Sequence, residues 1–228
     1  MSKSIAIITA RGGSKRIPKK NIKEFCGKPI IAYSIEAALE SGVFDEVMVS
    51  TDSEEIADIA RKYGANVPFM RSEKTSDDYA TTADVLMEVL SEYEKRGESF
   101  DYMSCIYPTA PFVTGEKLSK ALNDLKAQKA IMAMPVVAFS YPPQRGYIIE
   151  GDIMNMKWKE NFSKRSQDLD KMYHDAGQFY VFQVQEFIKR KGIIFEDIVP
   201  VIVDELEVQD IDNETDWKLA EMKFRLGH

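Results

Sequence analysis

The sequence contains very few of the residues that several common kinds of site require. Its 228 residues include two cysteines, Cys26 and Cys105, and two histidines, His174 and His228. The cysteines lie far apart and outside any C-x-x-C pair, which argues against a disulfide framework or a zinc site and fits a reducing cytoplasm. With histidine so scarce and no G-x-S-x-G elbow present, the sequence does not favour a Ser-His-Asp hydrolase.

Long apolar runs and the two standard phosphate-binding fingerprints are also missing. No stretch reaches the length of a transmembrane helix, and basic residues follow the N-terminal apolar run where a signal peptide would be cleaved. We therefore expect a cytoplasmic protein with no membrane partner. The absence of G-x-x-x-x-G-K-[ST] and of G-x-G-x-x-G argues against a P-loop NTPase and against a dinucleotide-dependent oxidoreductase.

The overall charge argues against a further class of protein. The net charge is −7, whereas a nucleic-acid-binding protein usually carries the opposite balance, so we expect no nucleic-acid partner. With 44% hydrophobic and 29% charged residues, the chain has enough apolar material for a sizeable core. Its length suits one α/β domain, or one domain with a small appendage, and we predict a single domain over 1–228.

A cation-rich loop at 10–23, called the cation loop below, follows the first apolar run. Residues 5–8 are Ile-Ala-Ile-Ile, a pattern typical of a strand buried on both faces. Gly12 and Gly13 then allow a sharp turn and a close approach of the backbone to a ligand. The basic side chains of the loop are Arg11, Lys15, Arg16, Lys19, Lys20 and Lys23. This combination predicts a site for a small polyanion; the alternative is an ordinary β-turn with a solvated basic face.

Apolar and amphipathic segments alternate along most of the chain. Strands are predicted at 5–8, 47–50, 67–70, 102–107, 130–137, 178–182 and 199–203. Helices are predicted at 29–41, from a Thr51-Asp52-Ser53 cap to 63, and at 83–95, 116–128, 185–190 and 214–226. This alternation is typical of an α/β fold with a three-layer, doubly wound and mainly parallel sheet. Because ligands bind beyond the carboxyl ends of strands in such sheets, we expect the loops 11–23, 51–52 and 108–111 to share one rim.

The pattern changes at 138–172. Two short extended runs, 147–149 and 153–158, flank a turn that contains Gly151, which predicts a β-hairpin. The hairpin would expose Tyr, Met and Trp side chains. This insertion is therefore either a plain surface feature or a dimerisation arm.

Two acidic residues near the C-terminus form the second informative feature. Asp210 and Asp212 are alternate residues of an extended segment, so their side chains point the same way and can reach one cation. Two carboxylates combined with phosphate oxygens and waters are the usual ligands of Mg²⁺. The alternative is that the pair forms a turn and caps the last helix. Together with the cation loop, the pair indicates metal-assisted chemistry on a nucleotide.

Taken in order, these motifs resemble the CMP-sialic acid synthetase (acylneuraminate cytidylyltransferase) family. The resemblance covers nearly the whole chain and rests on 10–22, 27–35, 49–52, Arg71, Asp78, Thr81, Thr82, 105–111, 174–180 and 209–212. It implies a nucleotide-diphospho-sugar transferase-like fold. It also implies a reaction in which CTP and a nine-carbon 2-keto sugar acid give a CMP-sugar and pyrophosphate, with Mg²⁺ as the cofactor.

The resemblance further implies residue roles by position. The nucleotide would be held by Ala10, Arg11, Gly12, Gly13, Lys20, Asn21, Arg71, Asp78, Thr81 and Thr82. The catalytic residues would be Arg11, Lys15 and Lys20 at the triphosphate, with Asp210 and Asp212 as the Mg²⁺ ligands. The sugar would be held by Tyr107, Thr109, His174, Asp175, Gln178 and Tyr180. Taken singly, several of these have plain alternatives, such as a loop cation for Arg71, helix capping for Thr81 and Thr82, and core packing for Tyr107.

Three departures from neuraminate-activating members concern the sugar rather than the nucleotide. Tyr107 precedes Pro-Thr where those members often have Gln, Lys-Arg-Ile-Pro at 15–18 replaces Lys-Gly-Ile-Pro, and His-Asp-Ala-Gly at 174–177 replaces Arg-Pro-Asn-Gly. These changes favour pseudaminate as the acceptor over legionaminate, N-acetylneuraminate or another 2-keto sugar acid. A rival from another class is a non-catalytic nucleotide-binding module. Because the family is commonly dimeric through an arm of this kind, we expect a homodimer.

Overall fold

The computed structural model describes residues 2–227, so Met1 and His228 lie outside the described residues. The strands are β1 (Ser4–Thr9), β2 (Glu24–Phe25), β3 (Lys28–Pro29), β4 (Glu46–Ser50), β5 (Tyr102–Ile106), β6 (Met132–Ala138), β7 (Tyr147–Glu150), β8 (Ile153–Met156), β9 (Tyr173–Asp175), β10 (Phe179–Gln183) and β11 (Ile198–Ile202). The helices are α1 (Ile30–Glu40), α2 (Glu54–Lys62), α3 (Thr82–Lys95), α4 (Gly115–Gln128), α5 (Val184–Lys189) and α6 (Glu214–Gly227).

The central sheet has the order β11-β6-β10-β5-β1-β4, and β9 adds to β6. β1 is parallel to both β4 and β5, and β11 is parallel to β6. β10 runs antiparallel to its neighbours β5 and β6, and β9 runs antiparallel to β6. Five strands therefore point one way and two the other, which confirms the predicted mainly parallel sheet.

β1 is buried on both faces because almost every side chain in it is apolar. Ile5 and Ile7 pack with α3 on one face of the sheet, whereas Ala6 and Ile8 pack with α1 and α4 on the other. Alternate residues of a strand point to opposite faces, so one Ile-rich strand contributes to two cores. Helices on both sides of the sheet give the predicted three layers.

The loops that follow β1, β4 and β5 meet at one rim. The Ala10 N–H donates to the Ser50 carbonyl at 2.9 Å, and the Gly12 N–H donates to Asp52 Oδ1 at 2.7 Å. Residues 107–109 line the same cavity as the cation loop. The prediction that the three loops share one rim is therefore confirmed.

The predicted hairpin is also present, as β7 and β8. Tyr147 pairs with Met156 and Glu150 pairs with Ile153. Its apolar side chains are exposed, with Ile149 at 71% and Ile153 at 65%. Whether this hairpin is a dimerisation arm, and whether 1–228 is one domain, stay predictions.

Two local predictions are wrong. Residues 67–70 form no strand; Asn66 makes an isolated bridge with Met48 just before them, and Pro68 has no N–H with which to continue a ladder. The predicted side-chain cap of α2 is also absent: its N-cap Ser53 makes no capping hydrogen bond, and the Asp52 carboxylate accepts the Gly12 N–H. The other predicted strands and helices lie within two residues of the observed bounds, while β2, β3 and β9 were not predicted. No helix within 2–227 is both long and apolar enough to span a bilayer.

Candidate active site

A cavity of about 510 Å³ opens at the rim formed by the carboxyl ends of β1 and β5. Its lining comes from β1 and the cation loop (Thr9 to Asn21), from Asp78, and from 107–109. Of the predicted nucleotide and triphosphate residues, Arg11, Lys15, Lys20, Asn21 and Asp78 face it, and so do Tyr107 and Thr109 of the predicted sugar set. The structure thus places members of both predicted sets at one cavity.

The cation loop is held close to the sheet by its glycine turn. The Gly12 N–H donates to Asp52 Oδ1, and a Cβ added at Gly12 would lie 3.1 Å from the Cβ of Ser53. That spacing is tighter than ordinary van der Waals contact, so the approach depends on glycine. Asn21 fixes the other side of the turn, because its Nδ2 donates to the Arg11 carbonyl at 2.9 Å. Gly13 has no neighbour within 4 Å of such a Cβ and is not needed for close approach.

A single carboxylate, that of Asp78, pairs with two cations of the loop. Arg11 Nη1 lies 2.8 Å from Asp78 Oδ1, and Lys15 Nζ pairs with Asp78 Oδ2. Hydrogen bonds from Lys15 and Arg11 hold the pKa of Asp78 below its usual value. All three side chains are partly exposed to solvent. Arg11 and Lys15 therefore converge on one anionic group at the cavity; their contact with a triphosphate stays a prediction.

The acidic pair reaches the opposite side of the same loop. Arg16 Nη2 lies 2.7 Å from Asp212 Oδ1, and Lys20 Nζ donates to the Ile211 carbonyl at 2.7 Å. Burial lowers the pKa of Lys20, while the carboxylates of Asp212 and Asp210 raise it and partly offset the burial. The segment that carries the acidic pair and the cation loop are therefore two halves of one charged site, although 191 residues separate Lys20 from Ile211.

The donor set of this site fits a divalent cation that arrives with a nucleotide. Within 2–227 no three His, Cys, Asp or Glu side chains group closely enough to hold a metal ion by themselves. The exposed Asp210 and the partly exposed Asp212 supply two carboxylates on one side of the cation loop. Mg²⁺ usually takes one or two carboxylates and completes its shell with phosphate oxygens and water. The residues present therefore fit a Mg²⁺ ion whose ligands come from both the protein and the triphosphate.

Arg71 lies beside the cavity, inside the protein. Its Nε donates to Ser50 Oγ at 3.0 Å and its Nη2 donates to the Ser50 carbonyl at 2.6 Å, and the residue is only 8% exposed. Burial lowers the pKa of the guanidinium, and the nearby Asp52 and Glu88 carboxylates counter that effect. Arg71 therefore braces the end of β4 and is not an exposed loop cation; its contact with cytosine stays a prediction.

Thr81 and Thr82 take different parts. Thr81 caps α3 in a capping box, because its hydroxyl accepts from the Asp84 N–H and the Thr81 N–H donates to Asp84 Oδ2. Thr82 is the first residue of α3, and its proximity to Tyr107 partly counters the effect of burial on the pKa of that phenol. Thr82 therefore lies near a residue that lines the cavity.

Three of the predicted sugar-binding residues, Tyr107, Tyr180 and Asp175, lie next to one another. Tyr180 Oη donates to Asp175 Oδ2 at 2.6 Å, and the rings of Tyr107 and Tyr180 meet edge to face with centroids 5.6 Å apart. Burial raises the pKa of Tyr107, and burial together with the bond to Asp175 raises that of Tyr180. Both phenols therefore stay protonated and can donate hydrogen bonds.

Gln178 and His174 lie further from the cavity. Gln178 is buried; its Nε2 donates to the Glu207 carbonyl at 2.5 Å, and its Oε1 has no partner among the described residues. His174 lies in β9 with its ring 4.8 Å from that of Phe139 and its Nδ1 2.9 Å from the Asp175 carbonyl. The structure does not bring His174 to the cavity wall.

Sequence reasoning missed one residue that shapes the site. Asp52 was expected to cap α2, whereas it accepts the Gly12 N–H and faces the guanidinium of Arg71. Its place at the end of β4, next to β1 in a parallel sheet, predicted the 51–52 loop at the rim, but nothing in the sequence indicated that Asp52 would accept the Gly12 N–H.

The fold and this charged rim define a nucleotide-binding α/β protein. A family model described as cytidylyltransferase matches residues 5–208, and the chain belongs to that family. The chain is 39% identical over 227 residues to the pseudaminic acid cytidylyltransferase of Campylobacter jejuni, covering 99% of this chain and 98% of the relative. It is 31% identical over 225 residues to the CMP-N,N'-diacetyllegionaminic acid synthase of Legionella pneumophila, covering 98% and 97%.

A solved structure agrees on the fold. The structure of a CMP:2-keto-3-deoxy-manno-octonic acid synthetase complexed with CTP superposes with a TM-score of 0.72 over the full length of both chains. At 17% sequence identity, this likeness concerns the architecture alone. It places the present chain in the nucleotide-diphospho-sugar transferase-like fold that the sequence implied.

Proposed function

We propose that this protein transfers CMP from CTP to the anomeric hydroxyl of pseudaminic acid, giving CMP-pseudaminic acid and pyrophosphate. The observation that carries the proposal is that the cation loop, which lines the cavity, also contacts the acidic segment, through Arg16 to Asp212 and through Lys20 to the Ile211 carbonyl. Membership of the cytidylyltransferase family supports CTP as the nucleotide. The name of the Campylobacter relative supports pseudaminic acid as the acceptor.

The cation loop binds and orients the triphosphate. Arg11 and Lys15 exchange the Asp78 carboxylate for phosphate oxygens, because a triphosphate offers them more negative charge than one carboxylate does. Lys20 is already fixed by the Ile211 carbonyl at 2.7 Å, so its ammonium needs little reordering when the nucleotide binds. Phosphoryl transfer depends mainly on positioning and on neutralising charge, and these side chains supply both.

Asp210 and Asp212 would hold Mg²⁺ beside the same phosphates. When bound, the metal would neutralise charge on the phosphate oxygens and on the departing pyrophosphate. Arg16 pairs with one carboxylate oxygen of Asp212. Arg16 would stay near the phosphates as a further cation while Asp212 holds the metal.

The acceptor sugar would lie against the side chains of Tyr107 and of the neighbouring Tyr180 and Asp175. Tyr107 and Tyr180 both carry protonated phenols, and Tyr180 donates to the Asp175 carboxylate. These groups favour an acceptor that presents hydroxyl and amide oxygens at fixed positions. The sugar oxygen would attack the α-phosphorus in line, its bond to phosphorus forming as the bond to pyrophosphate breaks, and the hydroxyl proton would pass to solvent water. The Tyr at 107 is one of the features that favour pseudaminate over N-acetylneuraminate.

We also propose that the protein is a cytoplasmic homodimer. The exposed apolar face of the β7–β8 hairpin supports the dimer, because an exposed cross-strand pair such as Ile149 and Met154 is costly unless covered. We expect the wild type to run at twice the chain mass in light scattering and Ile149→Lys to shift it towards monomer. A monomeric wild type would contradict the dimer.

The function is tested by incubating the protein with CTP, Mg²⁺ and a panel of nonulosonic acids and measuring pyrophosphate. We expect release with CTP and pseudaminate, and none when ATP replaces CTP. No release with any sugar would contradict the enzyme, and preference for N-acetylneuraminate or legionaminate would contradict the acceptor. Thr114→Ala, which alters only the cap of α4, serves as the matched active control.

A further inference from the structure

A third, smaller hydrophobic cluster lies beneath the charged site and contains residues from both the cation loop and the acidic segment. Ile17 stands next to Arg16 in the cation loop, and Ile211 stands between the two acidic residues. Both belong to the same buried cluster, together with Trp217 of α6, and they are 0% and 1% exposed. The charged side chains of both segments therefore project from one apolar base.

The burial of Ile211 determines where its neighbours point. Alternate residues in an extended segment face opposite sides, so an inward Ile211 turns Asp210 and Asp212 outward together. Asp210 is exposed and Asp212 is half-exposed and paired with Arg16. The Lys20 ammonium also bonds the Ile211 carbonyl, which links the same residue to the cation loop through its backbone.

The backbone of the acidic segment is fixed by Asp216 in the first turn of α6. Asp216 Oδ2 accepts the N–H groups of Asp212 at 2.9 Å and of Asn213 at 3.0 Å. Asn213 Oδ1 accepts in return from Thr215 and Asp216 at 2.9 and 3.1 Å. This reciprocal arrangement is a capping box, and one of its bonds ends on the backbone of a predicted metal ligand.

Helix α6 also contacts the cation loop directly. Both carboxylate oxygens of Glu214 lie 2.7 Å from Lys23 Nζ, and Lys23 Nζ sits 4.5 Å from the centre of the Trp217 ring. The Trp217 ring packs edge-on against Phe25, with centroids 5.6 Å apart. α6 thus contacts the segment that carries the cations and the segment that carries the carboxylates.

We infer that Asp216 and Ile211 are positioning residues, which set the place of the Asp210 and Asp212 carboxylates relative to the cation loop. The inference rests on the proposed function, because it assigns those carboxylates to Mg²⁺. Asp216 touches neither substrate nor metal; it acts through the backbone of Asp212. Loss of the cap lets the carboxylates move, so metal affinity falls while the cations keep their affinity for the triphosphate.

The test compares Asp216→Ala with Asp216→Asn, whose amide oxygen can still accept both N–H groups. Mn²⁺ binding in the presence of CTP is followed by electron paramagnetic resonance, and CTP binding in EDTA by calorimetry. We expect Asp216→Ala to weaken Mn²⁺ binding about tenfold, at the lower end of what outer-shell partners of a metal contribute. CTP binding in EDTA should change less than about twofold on the same reasoning, and Asp216→Asn should recover most of the Mn²⁺ affinity.

Two further variants separate positioning from mere stability. Thr114→Ala removes the N-cap bond of α4, a helix of the same 14-residue length far along the chain, and should leave Mn²⁺ binding unchanged. Ile211→Val, which removes one methyl group, should shift Mn²⁺ binding in the same direction as Asp216→Ala but by less, even if Asp216→Ala folds poorly.

The outcomes distinguish this inference from the proposed function. Wild-type protein that binds Mn²⁺ with CTP, while Asp216→Ala and Ile211→Val bind it equally well, would overturn the positioning role alone. Parallel loss of Mn²⁺ and metal-free CTP binding would also overturn it, because that pattern indicates general unfolding. Wild-type protein that binds no Mn²⁺ with CTP would overturn the metal site and this inference with it.

Discussion

Arg71 allows a clear test, because the structure gives it a structural role whereas the sequence predicted that it contacts the nucleotide. Its guanidinium is buried and makes two hydrogen bonds to Ser50, at 3.0 and 2.6 Å. Replacement by Met keeps the apolar stem and removes both bonds. Hydrogen bonds to charged groups contribute about 1.5–3 kcal/mol each, but the Ser50 carbonyl keeps a second partner in the Ala10 N–H. We therefore expect Arg71→Met to lower the free energy of unfolding by about 2–3 kcal/mol.

For a chain of this size, 1 kcal/mol corresponds to roughly 2–4 °C in Tm. The expected fall is therefore about 4–12 °C, measured by differential scanning calorimetry without nucleotide. Arg96→Met is the matched control, since Arg96 is exposed and donates to the Pro68 carbonyl at 3.2 Å; its Tm should change by less than about 2 °C. An Arg71→Met protein with wild-type Tm but weakened CTP binding would refute the bracing role and favour a direct nucleotide contact.

Three other predictions concern charge and thiol chemistry. Asp78→Asn should bind CTP more tightly than wild type in EDTA by calorimetry, because the cation loop is no longer neutralised; weaker binding would show that Asp78 serves the nucleotide. Asp212→Ala should keep its Tm and lose Mg²⁺-dependent turnover, and full activity at limiting Mg²⁺ would contradict its role as a ligand. Burial raises the pKa of Cys105 to about 12, so a thiol reagent at pH 8 should modify the partly exposed Cys26 and not Cys105 in the native protein, and both after denaturation; two reactive thiols in the native state would contradict this.

The sheet could be predicted because its strands have a local signal. Residues 5–8 are uniformly apolar and form β1, and the glycine turn after them lies at the expected rim. The failures have physical causes that are not local. Pro68 interrupts the ladder that an apolar run at 67–70 suggested. The short polar β9 exists because β6 offers it an edge, with His174 opposite Val137.

The site was predictable in its residue types but not in its internal pairing. The cation loop and the acidic pair follow from composition and spacing. Their partners do not, because Arg11 and Asp78 are 67 residues apart and Lys20 and Ile211 are 191 apart. Such contacts depend on how loops close over the finished sheet.

The burial of Arg71 and the contacts of Asp52 with the Gly12 N–H and with Arg71 escaped prediction for the same reason. Both depend on how the end of β4 packs against its neighbours, and neither has a periodic signal in the sequence. A short polar segment after a strand looks the same whether its side chains face solvent or brace the strand end. Only the packed sheet distinguishes the two cases.

The central claim is that this site transfers CMP from CTP to pseudaminate. The most direct measurement is a competition in which the wild-type protein, CTP and Mg²⁺ are mixed with equal concentrations of pseudaminic acid and N-acetylneuraminic acid, and the nucleotide sugars are identified by mass spectrometry. The account predicts that CMP-pseudaminic acid dominates from the earliest time point. A mixture dominated by CMP-N-acetylneuraminic acid, or consumption of CTP without either product, would contradict it.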